Sequence, residues 1–339
     1  MVNIFLTGGT GYIGGDALYS LLRAHPELQI TCLARNSDKG ALLSNAYPSV
    51  RLVYGDLDDF NLLAAEASKA DIICHLASCE HVGAAKAVAE GLSGKSPEKT
   101  GYLIHLSGSD ILCGDEIEAS RYGTKSDKIY DDWEGIDELT SPKHNAPHAD
   151  VDSVVLGLGA RTGRTAIVCP PTIYGPGRGP GNKRSIQIPE LAMYALKRGA
   201  APYVEAGENI WNTVHLHDLS NLFLKLVEDA VKVGGAATWG VNGYYFVESG
   251  HVAWADAARM VAGEARKQGY LKQAKVESLS HEDADQVWPY ASLFWGTNSR
   301  CKAARARHLL GWSPVGPSLC EEISATVANE ATILGLNKS

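Results

Sequence analysis

Residues 5–15, "FLTGGTGYIGG", constrain the fold of this chain more than any other stretch. A short apolar run leads into the glycines, and residues 12–24, "YIGGDALYSLLRA", continue with helical spacing. Gly8, Gly11 and Gly14 are therefore expected between a strand and a helix. In that setting Gly8 permits a tight turn, Gly11 lets backbone approach a pyrophosphate, and Gly14 lets the helix pack close to the strand. Phosphates would sit at the helix N-terminus, where free N–H groups and the helix dipole favour anions. Thr10, Tyr12 and Ile13 lie between and beside these glycines and complete the candidate dinucleotide-binding loop.

The next hundred residues repeat the alternation. "QITCLAR", "VRLVYGDL", "ADIICHLAS" and "YLIHLSGS" read as strands, and "NLLAAEASK" and "AAKAVAEGL" have helical spacing. Such a series predicts an α/β fold, a doubly wound parallel sheet covered by helices on both faces. Residues 112–150 break the pattern with a polar, irregular excursion, which in a compact domain is more often functional than idle. A helix is expected at about 150–160, then a strand, "TAIVCPP", and a Gly/Pro-rich loop, "TIYGPGRGPGNKRS". Residues 188–199 and 218–231 read as helices, as does the region 251–339. The expected division is a dinucleotide-binding domain over 1–175 and, over 176–339, a smaller substrate lobe with elements that return to the sheet.

Bulk properties exclude several classes. At 339 residues and 45% hydrophobic, the chain can bury a sizeable core. Its net charge of −8 argues against non-specific nucleic-acid binding, which needs Lys and Arg to neutralise phosphates. No apolar run is long enough for a transmembrane helix, and the N-terminal residues do not read as a signal peptide. The seven cysteines form no CxxC and mostly sit in apolar runs, as small buried hydrophobes of a reduced, cytoplasmic protein would.

Cofactor choice rests on the end of the second strand. A carboxylate there would bind the ribose 2′-hydroxyl of NAD, but this chain has "LARNSDK". Arg35, with Ser37 and Lys39 nearby, could hold a 2′-phosphate, so NADP(H) is expected over NAD(H); the alternative is a solvated loop arginine. After the third strand, Asp56 could accept from the adenine amino group while Leu57 packs on the ring. After the fourth, Ala77 and Ser78 would line the cofactor, and His75 reads as a packed histidine.

Together, "TGGTGYIG", "GDLDD", "HLAS", "IHLSGS", "PPTIYGPG", "GENIWNTVHLHDLSNLF" and "LLGWSP" resemble the extended branch of the short-chain dehydrogenase/reductase superfamily, the epimerases, dehydratases and reductases, over the whole chain. The resemblance implies a Rossmann-like fold with a C-terminal substrate lobe. It also implies a Ser after the fifth strand and a Tyr-x-x-x-Lys pair on the next helix, where Tyr moves a proton and Lys lowers its pKa. Ser107 matches the Ser, with Ser109 beside it. The Tyr and Lys positions fall on His148 and Asp152. An imidazole can exchange a proton near neutrality, with Asp152 one turn on to orient or charge it; alternatively both residues merely start a helix, with Asp150 as its N-cap. Tyr122, followed by Lys125 and Lys128, is a second candidate for the acid.

Further resemblance-based expectations concern the second half. Pro170, Pro171 and Thr172 would pass near the cofactor. The Arg that grips a sugar-nucleotide diphosphate in this branch is replaced by Trp211, which disfavours such substrates and suggests an apolar wall, or ordinary packing. Arg178, Lys183 and Arg184 could meet an anionic group or be solvated. His215 and His217 alternate as on a strand, and no metal is expected; Tyr244, Tyr245 and Phe246 read as a strand packing on the lobe. Three functions fit: an NADP(H)-dependent oxidoreductase acting on a small, fairly apolar molecule, a same-fold epimerase, dehydratase or isomerase keeping its cofactor, or a non-catalytic NADP(H) sensor. A homodimer would be usual for this branch; neither nucleic acid nor membrane is an expected partner.

Overall fold

The computed structural model describes residues 2–94, 101–141, 146–232 and 235–336. Seven parallel strands form the main sheet. From edge to edge they are Tyr244–Phe246, Thr165–Cys169, Tyr102–Leu106, Ile72–His75, Asn3–Thr7, Gln29–Ala34 and Arg51–Tyr54. The central strands are apolar on both faces and nearly all their residues are buried, which is why they read as runs and not as alternations. Helices Phe60–Lys69, Val82–Ser93 and Ala149–Thr162 pack together as one layer, and Tyr12–Ala24 packs on Leu216–Ala230 in another. The chain direction across the sheet reverses at Asn3–Thr7, so the crevice between that strand and Ile72–His75 is the switch point where such sheets take ligands.

A second apolar core lies among helices Gln187–Arg198, Trp254–Lys267 and Leu319–Ile333, with Trp211, Trp254 and Trp295 inside it. Strands Ala201–Val204 and Val276–Leu279 pair beside it, and Thr172–Tyr174, Ile210–His215 and Gly250–Ala253 form a small mixed sheet.

Several expectations are corrected here. Tyr244–Phe246 is an edge strand of the main sheet, parallel to Thr165–Cys169, and not a strand of the lobe. His217 is helical: strand Ile210–His215 ends at His215, whose Nδ1 caps the helix beginning at Leu216. The C-terminal region holds short strands at Gly250–Ala253, Val276–Leu279 and Cys301–Lys302 as well as helices. The excursion over 112–150, of which 142–145 lie outside the described residues, is pinned by short helical turns and by Tyr130–Asp131 pairing with Cys301–Lys302. Among the described residues no helix is long and apolar enough to cross a membrane. Five of the seven cysteines are buried; Cys79 is half-buried and Cys320 exposed.

Candidate active site

The glycine loop is built by close backbone contact. Gly8 has φ +85°, and a Cβ there would lie 2.6 Å from the Leu76 carbonyl across the switch point. A Cβ on Gly14 would lie 2.4 Å from the Gly8 carbonyl, so any side chain at that position pushes the helix off the strand. Gly11 is the N-cap and no side chain caps the helix, which leaves its first amides free for an anion. The cleft beside the loop is lined by Gly8, Thr10, Gly11, Arg35, Lys39, Asp56, Leu57 and Ala77. Arg35 is exposed and, among the described residues, no hydrogen bond or ion pair engages its guanidinium. Asp56 turns Oδ1 onto the Asp58 amide at 2.9 Å, and Ser78 accepts from the Glu80 amide at 3.1 Å. Tyr12 donates to the Gly175 carbonyl at 2.5 Å, and Ile13 packs on the main core. Thr172 is fully buried with its hydroxyl unpartnered, and the Pro170 carbonyl accepts the Ser109 amide at 3.0 Å. A free helix N-terminus and a glycine turn that no side chain could replace, beside an open cleft, fit a dinucleotide cofactor.

The candidate reactive groups lie at the C-terminal ends of the central strands. Ser107 follows Tyr102–Leu106 and donates from Oγ to Asp152 Oδ2 at 2.9 Å; both are buried. His148 does not pair with Asp152. It stands at the N-cap of Ala149–Thr162 with φ +63°, a left-handed conformation uncommon for a residue with a side chain. That turn aims its ring at Asp110, with Nε2 2.7 Å from Oδ1, and brings Nδ1 into an ion pair with Glu80, the Cys79 thiol being close by. Asp150 is merely an acid of the first turn. Burial alone would lower the His148 pKa, but bonding to Asp110 and Cys79 outweighs it and raises it to about 11. Carboxylates on both sides of the ring favour its charged form. For Asp152, burial dominates and raises the carboxyl to about 7, against the Ser107 hydrogen bond and the His148 charge.

Sequence reasoning missed Asp110, Glu80, Cys79 and Gly108. A Cβ on Gly108 would lie 2.6 Å from Asp110 Oδ1 and 2.8 Å from His148 Nε2, so the glycine is what admits the pair. The "SGSD" stretch was the available signal, a glycine and a carboxylate directly after the candidate serine. Other candidates are placed elsewhere. Ser109 bonds Ser299, Oγ to Oγ, at 2.6 Å. Tyr122 stacks on His281 at 4.7 Å, against the second core. Trp211 is 2% exposed and donates to the Thr297 carbonyl at 2.7 Å. Arg178 grips Asp16, and Arg184 grips Glu330 and Glu190.

A family model described as the NAD-dependent epimerase/dehydratase family matches residues 4–239. The chain belongs to this family. It is 40% identical to a protein named oxidase UcsJ from Acremonium sp, over 98% of this chain and 99% of that one. An uncharacterized protein of Saccharomyces cerevisiae is 25% identical over 96% of this chain and 98% of its own length. Among solved structures, a dTDP-glucose 4,6-dehydratase of Bacillus anthracis in complex with NAD superposes with a TM-score of 0.67 at 15% identity, covering 97% of this chain and 96% of that one. A UDP-glucuronic acid 4-epimerase of Bacillus cereus, in complex with UDP-glucuronic acid and NAD, gives 0.67 at 13% identity, covering 98% and 99%. These likenesses establish the Rossmann-like fold of the extended short-chain dehydrogenases.

Proposed function

We propose that this chain is an NADP(H)-dependent oxidoreductase acting on a carbonyl or hydroxyl group of a small, fairly apolar molecule. The observation that carries this reading is the placement of Ser107, Asp152 and the His148 imidazolium at the strand ends that flank the dinucleotide cleft. Membership of the family and a relative named an oxidase support redox chemistry. Gly8 and Gly11 would carry the pyrophosphate, with Gly14 holding the helix against the strand, Asp56 and Leu57 the adenine, Arg35 and Lys39 the 2′-phosphate, and Thr172 the far end of the cofactor. The nicotinamide, when bound, supplies or accepts a hydride. The chain's own part is to hold the reacting oxygen and its proton. Ser107 hydrogen-bonds that oxygen. His148 presents a fixed positive charge to it, once the largely exposed Glu80 side chain (67% exposed) swings off Nδ1. A cavity adjoins this centre with an apolar side of Ile111, Leu112, Leu139, Ala146 and Tyr244, which suits the apolar body of a substrate, and a polar side that carries Asp115, Lys128, Tyr130, Glu138 and Ser141.

Titration of the protein with NADPH, NADH, NADP⁺ and NAD⁺, followed by Trp fluorescence, tests the cofactor. NADP(H) is expected to bind tightly and NAD(H) weakly. Arg35→Ala is expected to weaken NADPH by ~10–100-fold, the loss of a charge-assisted phosphate contact, while leaving NADH unchanged. Equal loss for both cofactors removes Arg35 from the 2′-phosphate. A screen of small ketones, aldehydes and secondary alcohols then reads turnover. Tight NADP(H) binding with no turnover in any of them would favour the sensor, for which the ion-paired ring of His148 speaks.

A further inference from the structure

The resemblance puts the family's Tyr and Lys positions on His148 and Asp152, an ion-paired ring and a buried carboxyl, which calls for another route for the substrate's proton. We propose that Asp152, acting through the Ser107 hydroxyl, takes up and returns that proton, while His148 serves only as a fixed charge. This rests on the oxidoreductase reading above.

Geometry separates the two roles. His148 is hydrogen-bonded to Asp110 at Nε2 and ion-paired with Glu80 at Nδ1, and two carboxylates favour the protonated ring, which has no lone pair to offer. Asp152 is the reverse. It is completely buried, its Oδ2 accepts the Ser107 hydroxyl, and its Oδ1 has no hydrogen-bond partner. The groups around it come from every element packed against it. Ser107 and His105 come from the fifth strand and its end, with His105 Nε2 3.7 Å from Oδ1. Tyr244 comes from the edge strand, its hydroxyl beside Ser107, Asp152 and Cys169 without an aligned hydrogen bond. His148 shares its helix, and Asp110 lies beyond in the turn that follows Ser107. Register places Thr7, His75 and His105 side by side across three strands, with His75 and His105 stacked at 5.4 Å. Burial lowers the pKa of both histidines, His75 to about 4, so no cation from this row pairs with Asp152. Burial favours the neutral acid, while the first turn of its helix, Ser107 and His148 favour the anion, so both forms are accessible near neutrality.

The step balances. In hydroxyl oxidation the substrate O–H bond breaks and its proton passes to Ser107 Oγ as the serine's own proton moves to Asp152 Oδ2. The carbon-bound hydrogen leaves with two electrons to the oxidised nicotinamide. Reduction runs the same transfers backwards. A raised carboxyl pKa sets the sign: oxidation needs the anion and rises with pH through about 7, and reduction needs the acid and falls over the same range.

Two measurements test this. The first is infrared difference spectroscopy of the cofactor-free protein between pH 5 and pH 9. A buried carboxylic-acid band should disappear near pH 7, be missing in Asp152→Asn, and persist to higher pH in Ser107→Ala, which loses the hydrogen bond that favours the anion. No such band, or one unaffected by both variants, overturns the proposal. The second is turnover of NADP(H) with the small ketone and secondary-alcohol panel. Asn keeps the shape and the acceptor for Ser107, so Asp152→Asn should bind NADPH normally, lose ~10²-fold or more in rate and lose the pH limb. A variant that retains rate and limb sinks the proton role yet leaves the oxidoreductase standing. If the wild type neither binds NADP(H) nor turns over any of the panel, the oxidoreductase reading itself falls and the proton role with it.

Discussion

Asp16→Ala is expected to destabilise the protein by about 3 kcal/mol, the low end for breaking a buried ion pair, because Arg178 keeps 31% of its side chain in water. Asp16 is fully buried on the glycine-loop helix. Its Oδ2 accepts the Arg178 amide at 2.8 Å and Nε at 3.0 Å, and its Oδ1 accepts Nη2 at 2.5 Å and Ser220 Oγ at 2.6 Å. One carboxylate thereby joins three parts of the chain: the first helix, the loop after Tyr174, and helix Leu216–Ala230. Removing it takes the acceptor from four donors, of which the fully buried Ser220 hydroxyl has no access to water, while Arg178 keeps Ser20 as a partner for Nη2. Urea denaturation reads the loss as a lower midpoint at unchanged slope. The pKa of Asp16 is lowered: burial opposes this, but the bonds from Arg178 and Ser220 prevail. The sign follows. The contribution is complete above the unfolded value of 3.8 and vanishes as pH falls through the lower folded value, so wild type and variant should converge in acid. Cofactor affinity should fall too, because Arg178 holds the loop that covers the glycine motif. In that loop a Cβ on Gly179 would lie 2.7 Å from Gly15, and one on Gly181 would lie 2.1 Å from the Thr10 carbonyl. An unchanged midpoint would show that the pair's desolvation cost cancels its attraction.

The same residues show what could be read from sequence. The glycine loop and the buried strands were legible because their requirements are local: a turn with positive φ, a close approach, a run apolar on both faces. The first helix falls at Tyr12–Ala24, as its spacing predicted. Arg178 was legible only as a cation in a flexible-looking loop, since its partner lies 162 residues away. Tyr244–Phe246 was misassigned for a similar reason. Its neighbour Thr165–Cys169 is distant in sequence, and periodicity carries no information about which sheet a short apolar run joins. At the reactive centre, Ser107, His148 and Asp152 could be chosen from order along the chain, but their pairing could not. Helical spacing suggested that Asp152 serves His148. The left-handed turn at His148 rotates the ring to Asp110 and leaves Asp152 facing Ser107.

That arrangement makes the catalytic substitutions informative as a set. Ser107→Ala and His148→Ala are each expected to cut turnover by ~10²-fold or more while leaving NADPH binding intact. A 10²-fold loss is about 2.7 kcal/mol of transition-state stabilisation, within reach of one charged donor aimed at a developing alkoxide in a water-poor site. Gly108→Ala should approach the same loss although it adds one methyl group. Its Cβ would fall between Asp110 Oδ1 and His148 Nε2, and the ring can make room only by leaving Asp110. Without Asp110 the buried imidazolium loses its better-buried counter-ion, its pKa drops, and the fixed charge becomes a titrating one. In the oxidation direction, where wild-type turnover rises with pH, Gly108→Ala should therefore acquire a loss at high pH. Unchanged rates in both Ser107→Ala and His148→Ala would sink the site as assigned. A Gly108→Ala enzyme with wild-type rate and pH profile would show instead that His148 acts without Asp110, and the charge would have to be set by Glu80 alone.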